Sequence, residues 1–125
     1  MATRVVTAET LEKTITENSI VILDFWASWC GPCVRFAPVF EASSEKHADI
    51  VFGKIDTEDQ RELAAELQIQ SIPTLMVFRD QILLYREAGA LPPPALEQLI
   101  EQVRKLDMDE VRAEIAKHDA EHPAR

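Results

Sequence analysis

A membrane-spanning helix needs about 20 consecutive apolar residues, and no segment of this 125-residue chain approaches that length. The N-terminal stretch Met1-Ala2-Thr3-Arg4-Val5-Val6 lacks the apolar run of a secretory signal. A cytoplasmic location, away from the membrane, is the expectation. Basic residues are scarce: 13 Lys and Arg stand against 22 Asp and Glu, a formal net charge of −9. A phosphate-binding face needs clustered Lys and Arg, so nucleic acid is not expected as a partner. Cysteine is scarcer still, with two residues, Cys30 and Cys33. Four-ligand zinc normally needs a second such pair or nearby histidines, and neither is visible, so no metal is expected there. In a reducing compartment a lone cysteine pair points to catalysis or metal binding more than to a structural staple.

What the chain does have suits one soluble domain with some residues to spare: 46% hydrophobic and 28% charged, with no repeat and no low-complexity stretch. Strand and helix signals alternate. Val5-Val6 opens a short strand, and Leu11 and Ile15 mark a helix by their spacing. Ile20-Val21-Ile22-Leu23, within Ser19 to Trp26, is a continuous apolar run typical of a strand buried on both faces. Phe36, Val39 and Phe40 predict a helix over Cys33 to His47, kinked at Pro38 because proline removes one backbone bond. Ile50 to Asp56 reads as the next strand, and Thr57-Glu58-Asp59-Gln60 reads as a capping box opening a helix through Leu63 and Leu67. Leu75 to Phe78 and Ile82 to Tyr85 form a hairpin across Arg79-Asp80-Gln81. Leu96, Leu99, Ile100 and Val103 mark an amphipathic helix, and Asp107 caps a last one running to about Asp119. Alternation first and a hairpin last predict an α/β fold, a central mixed β-sheet flanked by helices on both faces.

Two intervening residues let the sulfurs of Cys30 and Cys33 meet across one turn of chain, the simplest arrangement for reversible thiol–disulfide exchange. The same pair could also be a buried staple or half a zinc site. Cys30 precedes a helix, whose unpaired amides and dipole favour a thiolate, so Cys30 is the candidate nucleophile. Cys33, on the same face, is placed to resolve a mixed disulfide. Gly31 permits close backbone approach, and Pro32 fits the first turn, where its missing N–H costs little. Asp24 sits inside the buried strand, and a carboxylate there without a partner has a raised pKa.

Asp24-Phe25-Trp26-Ala27, Trp29-Cys30-Gly31-Pro32-Cys33, Ala37-Pro38, Lys54-Ile55-Asp56, Ile72-Pro73-Thr74-Leu75 and Gly89-Ala90-Leu91 together resemble the thioredoxin family, in order and in spacing, over residues 4–106. Thioredoxins are themselves a standard example of a cysteine pKa lowered toward neutrality. The resemblance implies the thioredoxin fold and a dithiol–disulfide oxidoreductase that needs no cofactor of its own. It implies that Asp24 accepts the proton of Cys33, with Lys54 beside it modulating its charge. It implies a cis Pro73 facing the cysteines and a docking rim of Trp29, Gly31, Ile72 and Gly89. Trp26 either packs beneath the motif or touches substrate. The implied partners are disulfide-bearing client proteins and an NADPH-dependent thioredoxin reductase.

Three features depart from the family pattern. Val34 stands where many members carry a basic residue, Asp80-Gln81 replaces the common Asn-Gly turn, and residues 107–125 extend past the usual end. We therefore expect a thioredoxin domain over 1–106 and a C-terminal helical extension over 107–125. The extension holds six acids against three bases. Its stripe of Met108, Val111 and Ile115 is expected to pack on the body, and His118 and His122 to lie in a solvated tail rather than hold a metal. A second reading of the whole chain is a binding or holdase module that uses this acidic helix as its interface.

Overall fold

In the computed structural model, which describes residues 2–122, the apolar run Ile20-Val21-Ile22-Leu23 lies in the central strand of a five-stranded sheet. The elements in chain order are β1 (Thr3–Val5), α1 (Leu11–Thr16), β2 (Ile20–Trp26), α2 (Gly31–Lys46), β3 (Val51–Asp56), α3 (Arg61–Glu66), β4 (Thr74–Arg79), β5 (Ile82–Ala88), α4 (Pro93–Lys105) and α5 (Met108–Glu121). The spatial order is β1-β3-β2-β4-β5. β2 pairs parallel with β3 and antiparallel with β4, and β5 closes the hairpin as an edge. The sheet is mixed, as expected.

Alternate residues of β2 feed two cores. Ile20 and Ile22 pack with Phe36 and Phe40 of α2, Phe52, Leu75, Val77, and Leu96, Ile100 and Val103 of α4. Val21, Leu23 and Phe25 pack with Val6, Ile55, Leu63 and Met76, and with Leu11 of α1. Both faces of β2 are therefore covered, which is why its sequence shows no polar alternation except Asp24. Phe40 and Phe52 meet edge to face with centroids 5.2 Å apart, and each such fully buried side chain contributes roughly 1.5–3 kcal/mol. Gly53 sits where β3 passes between β1 and β2. A Cβ there would fall 2.7 Å from Val6 Cγ2 and 3.0 Å from Leu23 Cδ2, so contact and not backbone freedom demands glycine.

The β4–β5 turn is defined by its backbone: Asp80 and Gln81 both have positive φ, 52° and 69°, the signature of a type I′ turn. The expected capping box at Thr57 does not form. Asp56 Oδ1 accepts the amides of Glu58 and Asp59 at 2.9 and 3.3 Å, and the Thr57 hydroxyl donates to Trp26 O at 3.1 Å. The Gln60 amide, which a Thr57 cap would hold, donates instead to the Asp56 carbonyl at 2.9 Å, and the helix starts at Arg61. Pro38 lies inside α2 on its exposed side, where water can serve the Val34 carbonyl that it leaves unpaired.

Asp107 caps α5 as expected, accepting the amides of Asp109 and Glu110 at 3.0 and 3.2 Å. Arg79 Nη1 donates to the carbonyls of Val103 and Leu106 at 2.8 and 2.9 Å, closing the end of α4. The expected seating of the α5 stripe holds for Met108 alone. Val111 is half-buried and Ile115 is 39% exposed, so the stripe opens to solvent along the helix. Arg112 reaches Asp80 at 3.5 Å, so α5 joins the body at the end of the sheet where β2 begins. The cysteines lie beyond the other end.

Candidate active site

β2 delivers the chain at Trp26 to a short turn, and α2 begins immediately after Cys30. Cys30 is the N-cap: its backbone is extended, and its Sγ accepts the Cys33 amide at 3.2 Å. Gly31 and Pro32 form the first helical positions, so no side chain and no N–H obstructs the turn. Cys30 and Cys33 are joined in a disulfide with Cα atoms 5.2 Å apart. Both are nearly buried, at 5% and 2% exposure, whereas Trp29 beside them is 67% exposed. A reactive pair is thus held in a well-packed pocket, next to an aromatic ring left open to a partner.

Distant segments complete the rim. Ile72 packs against the cysteine cluster, and its carbonyl oxygen lies 3.7 Å from Cys30 Sγ. The Ile72–Pro73 peptide is cis, as the resemblance implied. Gly89 has φ 111°, and its N–H donates to Pro73 O at 2.8 Å. The space at its Cβ is open, so the positive φ alone favours glycine at that position. Cys30, Gly31, Pro32, Ile72, Pro73 and Gly89 thereby meet at one end of the sheet. Trp26 is half-buried against the cluster of Ala27, Cys30 and Cys33, the packing role among its two readings.

Asp24 pairs in register with Lys54 of β3 and Leu75 of β4, on the α2 side of the sheet by alternation with Ile22. It is fully buried, and among the described residues neither carboxylate oxygen has a hydrogen-bond partner. Burial pushes its pKa from 3.8 up to about 7, and the positive charge of Lys54 pulls against that rise. Lys54 Nζ sits 4.6 Å above the Trp26 ring centroid, a cation–π contact. Among the described residues no cluster of three His, Cys, Asp or Glu is arranged to hold a metal, and no helix is long and apolar enough to cross a membrane.

Arg35 escaped the sequence reading. It lies four residues after Gly31 on α2, and a methyl group on Gly31 would come within 3.3 Å of its Nη1. That i, i+4 spacing was visible in the sequence. The side-chain link from Thr3 to Glu41, 3.0 Å across β1 and α2, carried no sequence signal at all.

A family model described as Thioredoxin matches residues 2–105. A putative thioredoxin 2 from Streptomyces coelicolor is 52% identical over 115 residues, 92% of this chain and 86% of the relative. The thioredoxin of Coprinus comatus is 39% identical over 92 residues, 72% of this chain and 86% of its own. Among solved structures, a mutant thioredoxin from Halobacterium salinarum superposes with a TM-score of 0.76 at 32% identity, over 84% of this chain and 92% of its own. Plasmodium falciparum thioredoxin does so with 0.73 at 37% identity, over 79% and 97%. A family match over most of the chain, carried onto a fold that closes the Cys30–Cys33 pair, places this protein in the thioredoxin family as a thiol–disulfide oxidoreductase.

Proposed function

We propose that the protein is a cytoplasmic two-electron carrier that accepts electrons from an NADPH-dependent thioredoxin reductase and delivers them to disulfides of client proteins. One observation carries the mechanism: Cys30 caps the N-terminus of α2 while Cys33 lies inside the helix, so free amides and the helix dipole favour a thiolate on Cys30 over one on Cys33. In the reduced protein, Cys30 thiolate attacks a client disulfide. A Cys30–client bond forms, and the second client sulfur leaves as a thiolate. Cys33 then attacks Cys30, closing the internal disulfide and releasing the first client sulfur. Two electrons pass to the client, and its two thiolates take up two protons.

Asp24 is the group we assign to accept the Cys33 proton. A carboxyl with a pKa of about 7 is well matched to that task near neutral pH. Lys54 limits how far that pKa rises. Trp29, Gly31, Pro32, Ile72, Pro73 and Gly89 form the surface on which a client segment lies against the cysteines. The exchanging unit is residues 1–106, and residues 107–125 are an addition to it.

Insulin reduction tests the reading, driven first by dithiothreitol and then by NADPH with a thioredoxin reductase. Turnover with both, lost in Cys30→Ser, is the expected result. Activity with dithiothreitol alone would reject the assigned electron donor, and activity with neither, in folded reduced protein, would reject the reductase role. A second reading is favoured by the α5 groove of about 430 Å³, where Leu106, Val111 and Ile115 are flanked by Asp107, Glu110 and Glu114. Such a face fits an apolar client segment bearing basic residues. Client binding retained in a Cys30→Ser, Cys33→Ser protein and lost in Ile115→Glu would support it.

A further inference from the structure

Resting on the proposed reductase role, we infer that Arg35 selects clients that carry a carboxylate beside the disulfide to be reduced. Two observations converge on it. First, the guanidinium folds back along α2 onto Gly31, the residue after Cys30, at 3.3 Å from where a Cβ would stand. Second, Arg35 borders an apolar groove of about 260 Å³ shared with Pro32, Phe36, Val39, Leu91 and Pro92. Among the described residues its guanidinium makes no hydrogen bond and no ion pair, unlike Arg61, Arg79, Arg86, Arg104 and Arg112.

The surroundings sharpen the selection. Trp29 and Val34 are exposed and apolar, and Gly31, Pro32, Ile72, Gly89 and Ala90 carry no charge. Among the described residues that line this groove, Arg35 is the charged one, in a protein whose net charge is −9. At long range that field attracts basic clients. At contact, the Arg35 cation beside Gly31 prefers an acid, and a planar guanidinium can take both oxygens of a carboxylate. The occupant is thus an extended client segment with an apolar side chain for the groove and an Asp or Glu next to its cysteine. Val34 leaves this choice to Arg35, because no second cation stands at the position directly after Cys33.

Two synthetic peptides with the same internal disulfide, differing only by Glu or Lys beside one cysteine, provide the test. The readout is the Glu-to-Lys ratio of kcat/KM, which cancels effects common to both peptides. The expected result is a ratio about threefold lower in Arg35→Gln than in wild type, the scale of an exposed ion pair. Arg35→Glu lowers it further, and Arg35→Lys keeps most of it. Lys46→Gln, the same charge change at the far end of α2, leaves the ratio at the wild-type value. The preference fades in high salt, as screening requires. An equal ratio in wild type and Arg35→Gln, with both peptides reduced, overturns the inference and leaves the reductase role standing. Reduction of neither peptide by the wild type overturns the role itself.

Discussion

Asp24→Asn should stabilise the oxidised protein, increasingly so as the pH rises. Asp24 is fully buried with no hydrogen-bond partner for either oxygen among the described residues, and burial lifts its pKa from 3.8 to about 7. Below pH 4 the carboxyl is neutral in both native and unfolded chains and contributes no pH dependence. Between pH 4 and 7 the native state keeps a proton that the unfolded state has lost, so stability falls as pH rises. The slope is about 1.4 kcal/mol per pH unit. Above pH 7 both forms are ionised and the penalty levels off. A span of about three units amounts to roughly 4 kcal/mol. Asparagine has nearly the shape of the protonated acid and cannot ionise. The gap between variant and wild type should therefore be small at pH 4, near 1.5 kcal/mol at pH 5 and roughly 4 kcal/mol at pH 8. Urea unfolding at these three pH values, with the disulfide intact, measures it. A gap that is constant across pH, or that shrinks toward pH 8, would refute the assignment of an unpartnered buried carboxyl. The same variant should lose exchange rate, because it removes the proposed proton acceptor.

Further outcomes follow from other features. Lys54→Met removes the positive charge that opposes the rise, so the pKa of Asp24 should move above about 7; a carbonyl-region NMR titration of the oxidised protein checks it. Gly53→Ala should destabilise by about 1–3 kcal/mol, since a methyl at 2.7 Å from Val6 Cγ2 forces strands apart, and a thermal melt reads the loss. Gln81→Gly should stabilise by about 1 kcal/mol by relieving a left-handed residue at φ 69°, whereas Gln81→Val should do the reverse in the same melt. Asp107→Ala removes an acceptor from two first-turn amides; hydrogen exchange should show α5 fraying by about 1 kcal/mol.

The central strand was legible because both faces of β2 are buried, and burial on two sides writes itself as an unbroken apolar run. The cysteine pair was legible because its chemistry depends on a local spacing. The hairpin at Asp80-Gln81 was legible from its length, but its turn type was not, since the pair lacks the Asn-Gly signature of positive φ. The cap at Thr57 was misplaced because the Gln60 amide that it would hold goes to the Asp56 carbonyl at 2.9 Å, while the Asp56 carboxylate takes the amides of Glu58 and Asp59. The α5 stripe has helical spacing all along, but spacing reports a face and not what covers it: Met108 is buried, Val111 half-buried and Ile115 exposed. The link from Gly89 to Pro73 lies one step past the last β4–β5 pair, Thr74 with Ala88, and follows from the register of the hairpin. Arg35 is an intermediate case: its spacing from Gly31 is local and visible, but the direction its guanidinium takes, back toward Gly31, is not written in that spacing.

Trapping the covalent intermediate tests the central claim most directly. Cys33→Ser protein, reduced and mixed with a disulfide-bearing client such as insulin, should accumulate a mixed disulfide through Cys30, visible by mass spectrometry and cleaved by dithiothreitol. Cys30→Ser should accumulate far less under the same conditions. If Cys30→Ser traps the client as well as Cys33→Ser does, or if neither traps it, Cys30 is not the attacking thiolate and the mechanism built on the N-terminus of α2 fails.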